Sequence, residues 1–221
     1  MIMPRQLALT LPHAENFSRD DFLGGASNEA ALSLVERWPD WPDRALAIVG
    51  PEGAGKSHLA AIWAEIAGAR RVSARVLDEI DLPAALATGA LVIEDAAEGL
   101  DERALFHLLN LMRQHEAFIL MTTRTLPAAW RVELADLASR LRAIPTVELR
   151  SPDDALLRAV MVKLFADRQL AVDEALITYL STRIERSFGA ARVAVQDLDR
   201  EALRQKRPVT RTLAVELLGQ S

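Results

Sequence analysis

The chain has 221 residues, half of them apolar and about a quarter charged; that suffices for one good core with a small satellite, and no apolar run nears the roughly 20 residues that span a bilayer. Cysteine is absent, which excludes disulfides and thiolate metal sites, and the four histidines (His13, His58, His107, His115) show no ligand spacing. A net charge of −5 without a basic tail argues against a protein that grips duplex DNA by itself, because such proteins present a basic face to the phosphates.

The N-terminus, Met1 to Gln6, lacks a charged region followed by an apolar stretch, so a soluble, cytoplasmic chain is expected. Leu7, Leu9 and Leu11 alternate with Ala8 and Thr10, the period of a short extended segment, and Pro12 closes it. Ser27 and Asn28 open a helix from Glu29 to Arg37 that Pro39 stops. Trp38, Pro39, Asp40, Trp41 and Pro42 form a rigid loop. Apolar runs then read as buried parallel strands at Ala45–Val49, Leu91–Ile93, Phe118–Met121 and Thr146–Leu149, with a weaker one at Arg71–Ser73. Helical segments Lys56–Ala67, Leu82–Ala87, Glu102–Gln114 and Leu134–Ala143 separate them. Such alternation builds βαβ units around a parallel sheet. After Pro152 the strand signals cease, and Asp153–Arg168, Asp173–Ile184, Phe188–Gln205 and Thr210–Leu218 all carry helical periodicity. The expected organisation is an extended segment over 1–15, an α/β domain over 16–150 and a helical domain over 151–221.

One motif sits in the context it needs. The strand Ala45–Val49 runs directly into Gly50-Pro51-Glu52-Gly53-Ala54-Gly55-Lys56-Ser57, and the helix-forming residues His58–Ala67 continue. This is the phosphate loop G-x-x-x-x-G-K-[ST] between strand and helix. Glycines let the backbone curl so that several N–H groups converge on phosphate oxygens, and the helix N-terminus adds its dipole. Gly50, Gly53, Ala54, Gly55, Lys56, Ser57 and His58 are therefore the expected contacts to ATP or ADP. Lys56 reaches the β- and γ-phosphates, and the Ser57 hydroxyl can ligate Mg²⁺. A second element is expected at another strand end, where open α/β sheets bind ligands. Leu91-Val92-Ile93-Glu94-Asp95 supplies two carboxylates there. By order Glu94 is the metal-side residue and Asp95 orients the attacking water.

With these pieces in place, the chain resembles an AAA+ ATPase. More narrowly it resembles the family of the bacterial replication initiator DnaA and its short homologue Hda. The resemblance rests on 22–28 (Phe-Leu-Gly-Gly-Ala-Ser-Asn), Gly50–Ala60, Leu91–Asp95, Leu105–Asn110, Thr122-Thr123 and Asp136–Leu141. It implies a five-stranded parallel sheet flanked by helices, followed by a small helical lid. It also implies residue roles. Phe22 and Leu23 would line the adenine pocket, and Thr123 or a neighbour would be the sensor-1 polar group. Arg140 would be an arginine finger for nucleotide on an adjacent subunit, and Arg186 the sensor-2 arginine. Two departures bear on function. The family generally carries Asp where this chain has Glu94, which implies weak or no autonomous hydrolysis. No DNA-binding helix-turn-helix follows the lid, which favours the Hda type.

Gln6, Leu7, Leu9 and Leu11 resemble the short peptide by which replication proteins dock on the DNA polymerase sliding clamp. The residues alone allow equally an edge strand packed on its own domain. The expected function is a regulator that binds adenine nucleotide, docks on the clamp and promotes hydrolysis of DnaA-bound ATP. Its contact with DNA would be indirect, through the clamp, and a homo-dimer or higher oligomer is allowed. The alternative is an autonomous AAA+ ATPase such as a helicase loader or transposition helper. A small-molecule kinase ranks last, because the helical region follows the sheet and is not inserted in it.

Overall fold

The computed structural model describes residues 17–219, so the segment bearing Gln6, Leu7, Leu9 and Leu11 lies outside the described residues. Five strands, β1 (Ala45–Val49), β2 (Arg70–Ser73), β3 (Ala90–Glu94), β4 (Phe118–Thr123) and β5 (Thr146–Glu148), form one sheet. Its order is β2-β3-β4-β1-β5, with every neighbouring pair parallel. β1 is buried at all five positions, as a central parallel strand covered on both faces requires.

Successive side chains point to opposite faces of a strand, and two half-cores follow. Leu46 and Ile48 join Val92 and Leu120 beneath α1 (Glu29–Glu36) and α2 (Lys56–Ala67). Ala47 and Val49 join Leu91, Ile93, Ile119 and Met121 beneath α4 (Glu102–Gln114) and α5 (Ala135–Ala143), with the short α3 (Leu82–Ala85) at the side. Trp63 of α2 is fully buried, stacked on Trp41 at 5.0 Å between ring centroids and met edge-on by Trp38. Trp41 in turn donates its indole N–H to the Leu34 carbonyl at 2.8 Å. The tryptophan loop thus locks α1 to α2.

Beyond β5 the chain forms α6 (Asp154–Asp167), α7 (Glu174–Ser181), α8 (Phe188–Gln205) and α9 (Arg211–Leu218). These pack around a third core containing Leu157, Met161, Phe165, Leu180, Val195 and Leu213. Asp153, Asp173, Ser187 and Thr210 each accept a backbone N–H from the first turn of the helix that follows. Those acidic and hydroxyl residues are the start signals visible in the sequence. No helix among the described residues is long and apolar enough to cross a membrane.

Differences from expectation sit at element ends. β4 runs on through Thr122 and Thr123, which pair with Ile48 and Val49; polar residues close that strand because they meet the functional edge. The third helix stops at Ala85 and the seventh at Ser181, short of Ala87 and Ile184. Two 3₁₀ turns, Ala74–Val76 and Pro127–Ala129, are too short to leave a periodic signal. Replacing Trp63 by alanine should cost about 3–5 kcal/mol of unfolding free energy, the usual range for a fully buried aromatic. A urea titration checks this, and an unchanged midpoint would deny the tryptophan stack its structural role.

Candidate functional site

Strand order determines which loops meet. β4 lies between β1 and β3, so the C-terminal ends of these strands place Gly50, Thr123 and Glu94-Asp95 side by side. The Gly50 N–H donates to the Thr123 carbonyl at 3.1 Å. Gly53 and Gly55 have φ of +70° and +95°, left-handed values that side chains resist. The curl they permit delivers the chain into α2 with Gly55 as N-cap and no side-chain cap. Most other helices among the described residues are capped by a carboxylate or hydroxyl. Here the first N–H groups of the helix are left for an anion.

Lys56 follows at once and is buried; its ammonium donates to the carbonyl oxygens of Gly50 and Pro51 at 2.8 Å each. Burial pulls its pKa below the ordinary 10.5, and the Asp95 carboxylate opposes that shift most. A cation held this way gains by meeting phosphate. Asp95 adopts φ +53°, a left-handed conformation that Asp tolerates better than most residues. It is held there by its N–H to the Thr122 hydroxyl at 3.1 Å and by a Glu98 N–H to its carbonyl at 2.8 Å. This turn sets Asp95 on the wall of a cleft shared with Lys56 and Ser57.

The cleft has a volume of about 630 Å³ and opens between the sheet edge and the C-terminal helices. Phe22 and Leu23 line it, as does His58, whose ring meets Phe17 and Phe22 edge-on at 5.2 and 5.1 Å. Asn28, itself buried, fixes this wall by accepting from the Gly25 N–H at 2.8 Å and donating to the Leu23 carbonyl at 3.0 Å. The roof comes from α6 and α8. Lys163 of α6 reaches Asp21 at 2.6 Å, and the Phe188 N–H of α8 donates to the Gly53 carbonyl at 2.8 Å. A Cβ on Gly53 would meet the Ser187 Cβ at 2.9 Å, so this glycine seats the roof as well as shaping the loop.

Five residues expected at the nucleotide, Gly50, Ala54, Glu94, Thr123 and Arg186, are not on the cleft lining. Glu94 does not line the cleft; Arg71 on β2 holds its carboxylate with bonds of 2.9 and 2.6 Å. The Thr123 hydroxyl is buried and turned to the Thr125 carbonyl at 2.9 Å. Arg186 pairs with Asp154 at 2.9 Å on an exposed surface, because it precedes the N-cap Ser187 and points off the helix. The arginine of α8 that does line the cleft is Arg192, 5.4 Å from the Phe17 ring centroid. Its signal was helical spacing: Phe188, Gly189 and Arg192 share one face of a helix that starts at Phe188. Arg140, expected at an adjacent subunit's nucleotide, lies outside its own chain's cleft. It donates to Asn110 at 2.6 Å and Asp136 at 3.2 Å, and stacks 4.6 Å from the Phe106 ring centroid. Arg124, at the end of β4, lines the cleft and was not expected there.

With this geometry the chain can be set beside solved structures. Domain III of the Thermotoga maritima replication initiation protein DnaA superposes with a TM-score of 0.76 at 18% identity, over 92% of this chain and 96% of that one. The fold is that of domain III of DnaA. DnaA of Aquifex aeolicus, solved bound to AMPPCP, gives 0.66 at 18% identity, over 83% of this chain and 65% of that one. The Thermotoga maritima Holliday junction branch migration motor RuvB gives 0.70 at 18% identity, over 91% and 70%. No protein-family model matches the sequence, and no curated protein does.

Burial against the aromatic wall lowers the His58 pKa below the ordinary 6.5, despite the opposing bond from its ring to the Ser18 carbonyl at 2.8 Å. Below pH 6.5 the unfolded chain therefore takes up a proton that the folded chain refuses, and stability falls as pH drops through that window. His58→Gln should flatten the fall in a series of urea titrations from pH 7.5 to 5. An equal slope in the variant would show that another group is responsible.

Proposed function

We propose that this chain is a DnaA-related AAA+ regulator of the Hda type. It binds ADP or ATP in the cleft, docks on the DNA polymerase sliding clamp through Gln6, Leu7, Leu9 and Leu11, and supplies Arg140 to the ATP of a bound DnaA molecule. A cation delivered in trans stabilises charge developing on the transferring phosphoryl group. Hydrolysis leaves ADP on DnaA and suppresses re-initiation. The observation that carries the reading is the convergence of Lys56, Asp95 and Arg192 on one cleft within a fold shared with DnaA domain III.

Each part has its support. The uncapped start of α2 and the buried Lys56 suit a di- or triphosphate, while the aromatic wall of Phe17, Phe22 and His58 suits a purine face. Among the described residues no group of three carboxylates or histidines could hold a metal by itself. The Ser57 hydroxyl and the Asp95 carboxylate on the cleft wall fit Mg²⁺ that arrives with its nucleotide. That ion, when bound, would neutralise phosphate charge. Asp95 takes the place proposed from order for Glu94, because Arg71 already neutralises Glu94. Arg140 lies on α5 away from its own cleft, where it suits a neighbour's nucleotide. DNA is engaged through the clamp, and assembly into a dimer or larger oligomer is compatible with a finger acting between subunits.

A second reading, an autonomous AAA+ ATPase such as a helicase loader or transposition helper, has one observation in its favour. Asp95 and Lys56 of the same chain already face one cleft. Rapid turnover by the purified protein alone would favour it.

Calorimetry should show ATP and ADP binding to the wild type and none to Lys56→Ala; retained binding in the variant would remove the phosphate-loop assignment. Arg140→Ala should keep nucleotide and clamp affinity while lowering stimulation of DnaA hydrolysis by roughly 10³-fold or more, the range of measured fingers. Undiminished stimulation refutes the role. Retention of a Gln6→Ala, Leu7→Ala double variant on immobilised clamp, equal to that of wild type, would end the clamp assignment.

A further inference from the structure

The helical domain carries a second cavity, distinct from the nucleotide cleft although both reach the phosphate loop at Glu52 and Gly53. It is a groove of about 610 Å³ between α7, α8 and α9. Leu180 of α7, Val193 and Ala194 of α8, and Leu217 and Leu218 of α9 line it with apolar surface. Val193 is 57% exposed, a large apolar side chain left to water. The charged groups on the lining are mostly acidic: Glu52, Glu185 and Asp197 stand against Arg183. Surface of this kind calls for an apolar occupant with a positive charge near one end.

The place where the described chain begins points to that occupant. The Phe17 ring centroid lies 5.4 Å from the guanidinium carbon of Arg192 on α8. At about 3.6 residues per turn, the face of α8 with Phe188 and Arg192 is roughly a third of a turn from the face with Ala190, Val193 and Asp197. Around a helix about 10–12 Å across, that is a path on the order of 10 Å. The six residues from Phe17 back to Leu11 span at most about 20 Å, so Leu7, Leu9 and Leu11 come within reach of the groove. Their period of two places all three on one side of an extended segment. Residues 1–12 contain a single charged side chain, Arg5, opposite in sign to most of the groove's charges. A segment tethered this closely meets the groove at an effective concentration on the order of millimolar, so a modest affinity suffices.

We propose that the groove of α7, α8 and α9 is the docking site of this chain's own Leu7–Leu11 segment, an intramolecular contact that hides those leucines from other partners. The contact stands apart from the clamp reading; its consequence, competition with the clamp for the same leucines, rests on that reading.

The chain has no cysteine, so an introduced pair reports proximity without background. In the full chain, Leu9→Cys with Val193→Cys, oxidised in air with a copper catalyst, should form a disulfide within one chain. It should do so at least about fivefold faster than Leu9→Cys with Leu203→Cys, whose partner is as exposed on the same helix but outside the groove. In a second measurement, Val193→Glu should release the segment, and trypsin should cut after Arg5 about fivefold faster than in wild type. Matching thermal melts show that the variant folds alike. Equal disulfide rates for the two pairs overturn the docking. Disulfides formed only between chains also overturn it and make a second copy the occupant. An unchanged trypsin rate in a folded Val193→Glu overturns it as well. Tighter retention of Val193→Glu than of wild type on immobilised clamp supports the competition, and equal retention refutes it. If neither is retained, the clamp reading fails by itself, and the disulfide rates still decide the docking.

Discussion

Backbone amides that the chain itself declines to satisfy are the constraint on which the site depends. Among the described residues, six helices begin on a side chain that accepts from their first turn, including Asp101 before α4 and Asp153 before α6. Helix α2 begins on Gly55 in a left-handed conformation, with no such acceptor. Its N–H groups and the positive end of its dipole are thus directed at solvent in the cleft. The alternative solution, a carboxylate or hydroxyl at the N-cap, would satisfy them and abolish the anion site. Leaving them open costs stability in the empty loop, and Lys56 partly offsets this by donating to the carbonyls of Gly50 and Pro51. On the proposed reading an arriving phosphate offers that lysine and those amides a shared partner, which would let a loop of small residues bind a highly hydrated anion.

The same loop also carries the C-terminal helices. Gly53 accepts from the first N–H of α8, and its missing Cβ leaves room for Ser187 and Gly189. On the opposite side Lys163 joins α6 to Asp21, whose carboxyl it holds below the usual range. Asp21 is anchored by Ser18, and Ser18 in turn contacts His58 of α2. The roof is therefore fastened at two places, both of them on the walls of the cleft. Any shift of the phosphate loop on ligand binding moves the seat of α8 directly. Coupling of this kind needs no relay, because the two elements touch.

The fold was legible because its signals are redundant. Uninterrupted apolar runs such as Ala45–Val49, glycine-rich turns and capping residues at Asp153, Asp173, Ser187 and Thr210 all point to the same elements. The phosphate loop was legible for the same reason, motif and context agreeing. What failed was side-chain direction. Glu94 and Asp95 are adjacent in sequence, and only the left-handed turn at Asp95, with the Arg71 partner across the sheet, decides which one faces the cleft. Arg186 and Arg192 differ by less than two turns, and the position of the N-cap between them decides which one lines the cleft. Arg124 carries no motif at all. Its placement follows from β4 lying next to β1, a fact of sheet order that no local pattern contains. Partners across the sheet and the phase of a helix are long-range facts, whereas element identity is a short-range one.

Arg140 shows how such long-range facts constrain function. Asn110, Asp136 and the Phe106 ring all hold its guanidinium within one chain. A cation over a ring and a charge-assisted bond to an amide are each worth on the order of 1 kcal/mol or more when partly shielded from water. A finger acting in trans must find a partner that outweighs both, and a solvated surface carboxylate does not. A triphosphate at a subunit interface does, since water is excluded and charge accumulates there in the transition state. On the proposed reading the internal contacts of Arg140 then keep the finger withdrawn until assembly supplies that environment. Differential affinity for two positions, not mobility alone, would make its action conditional.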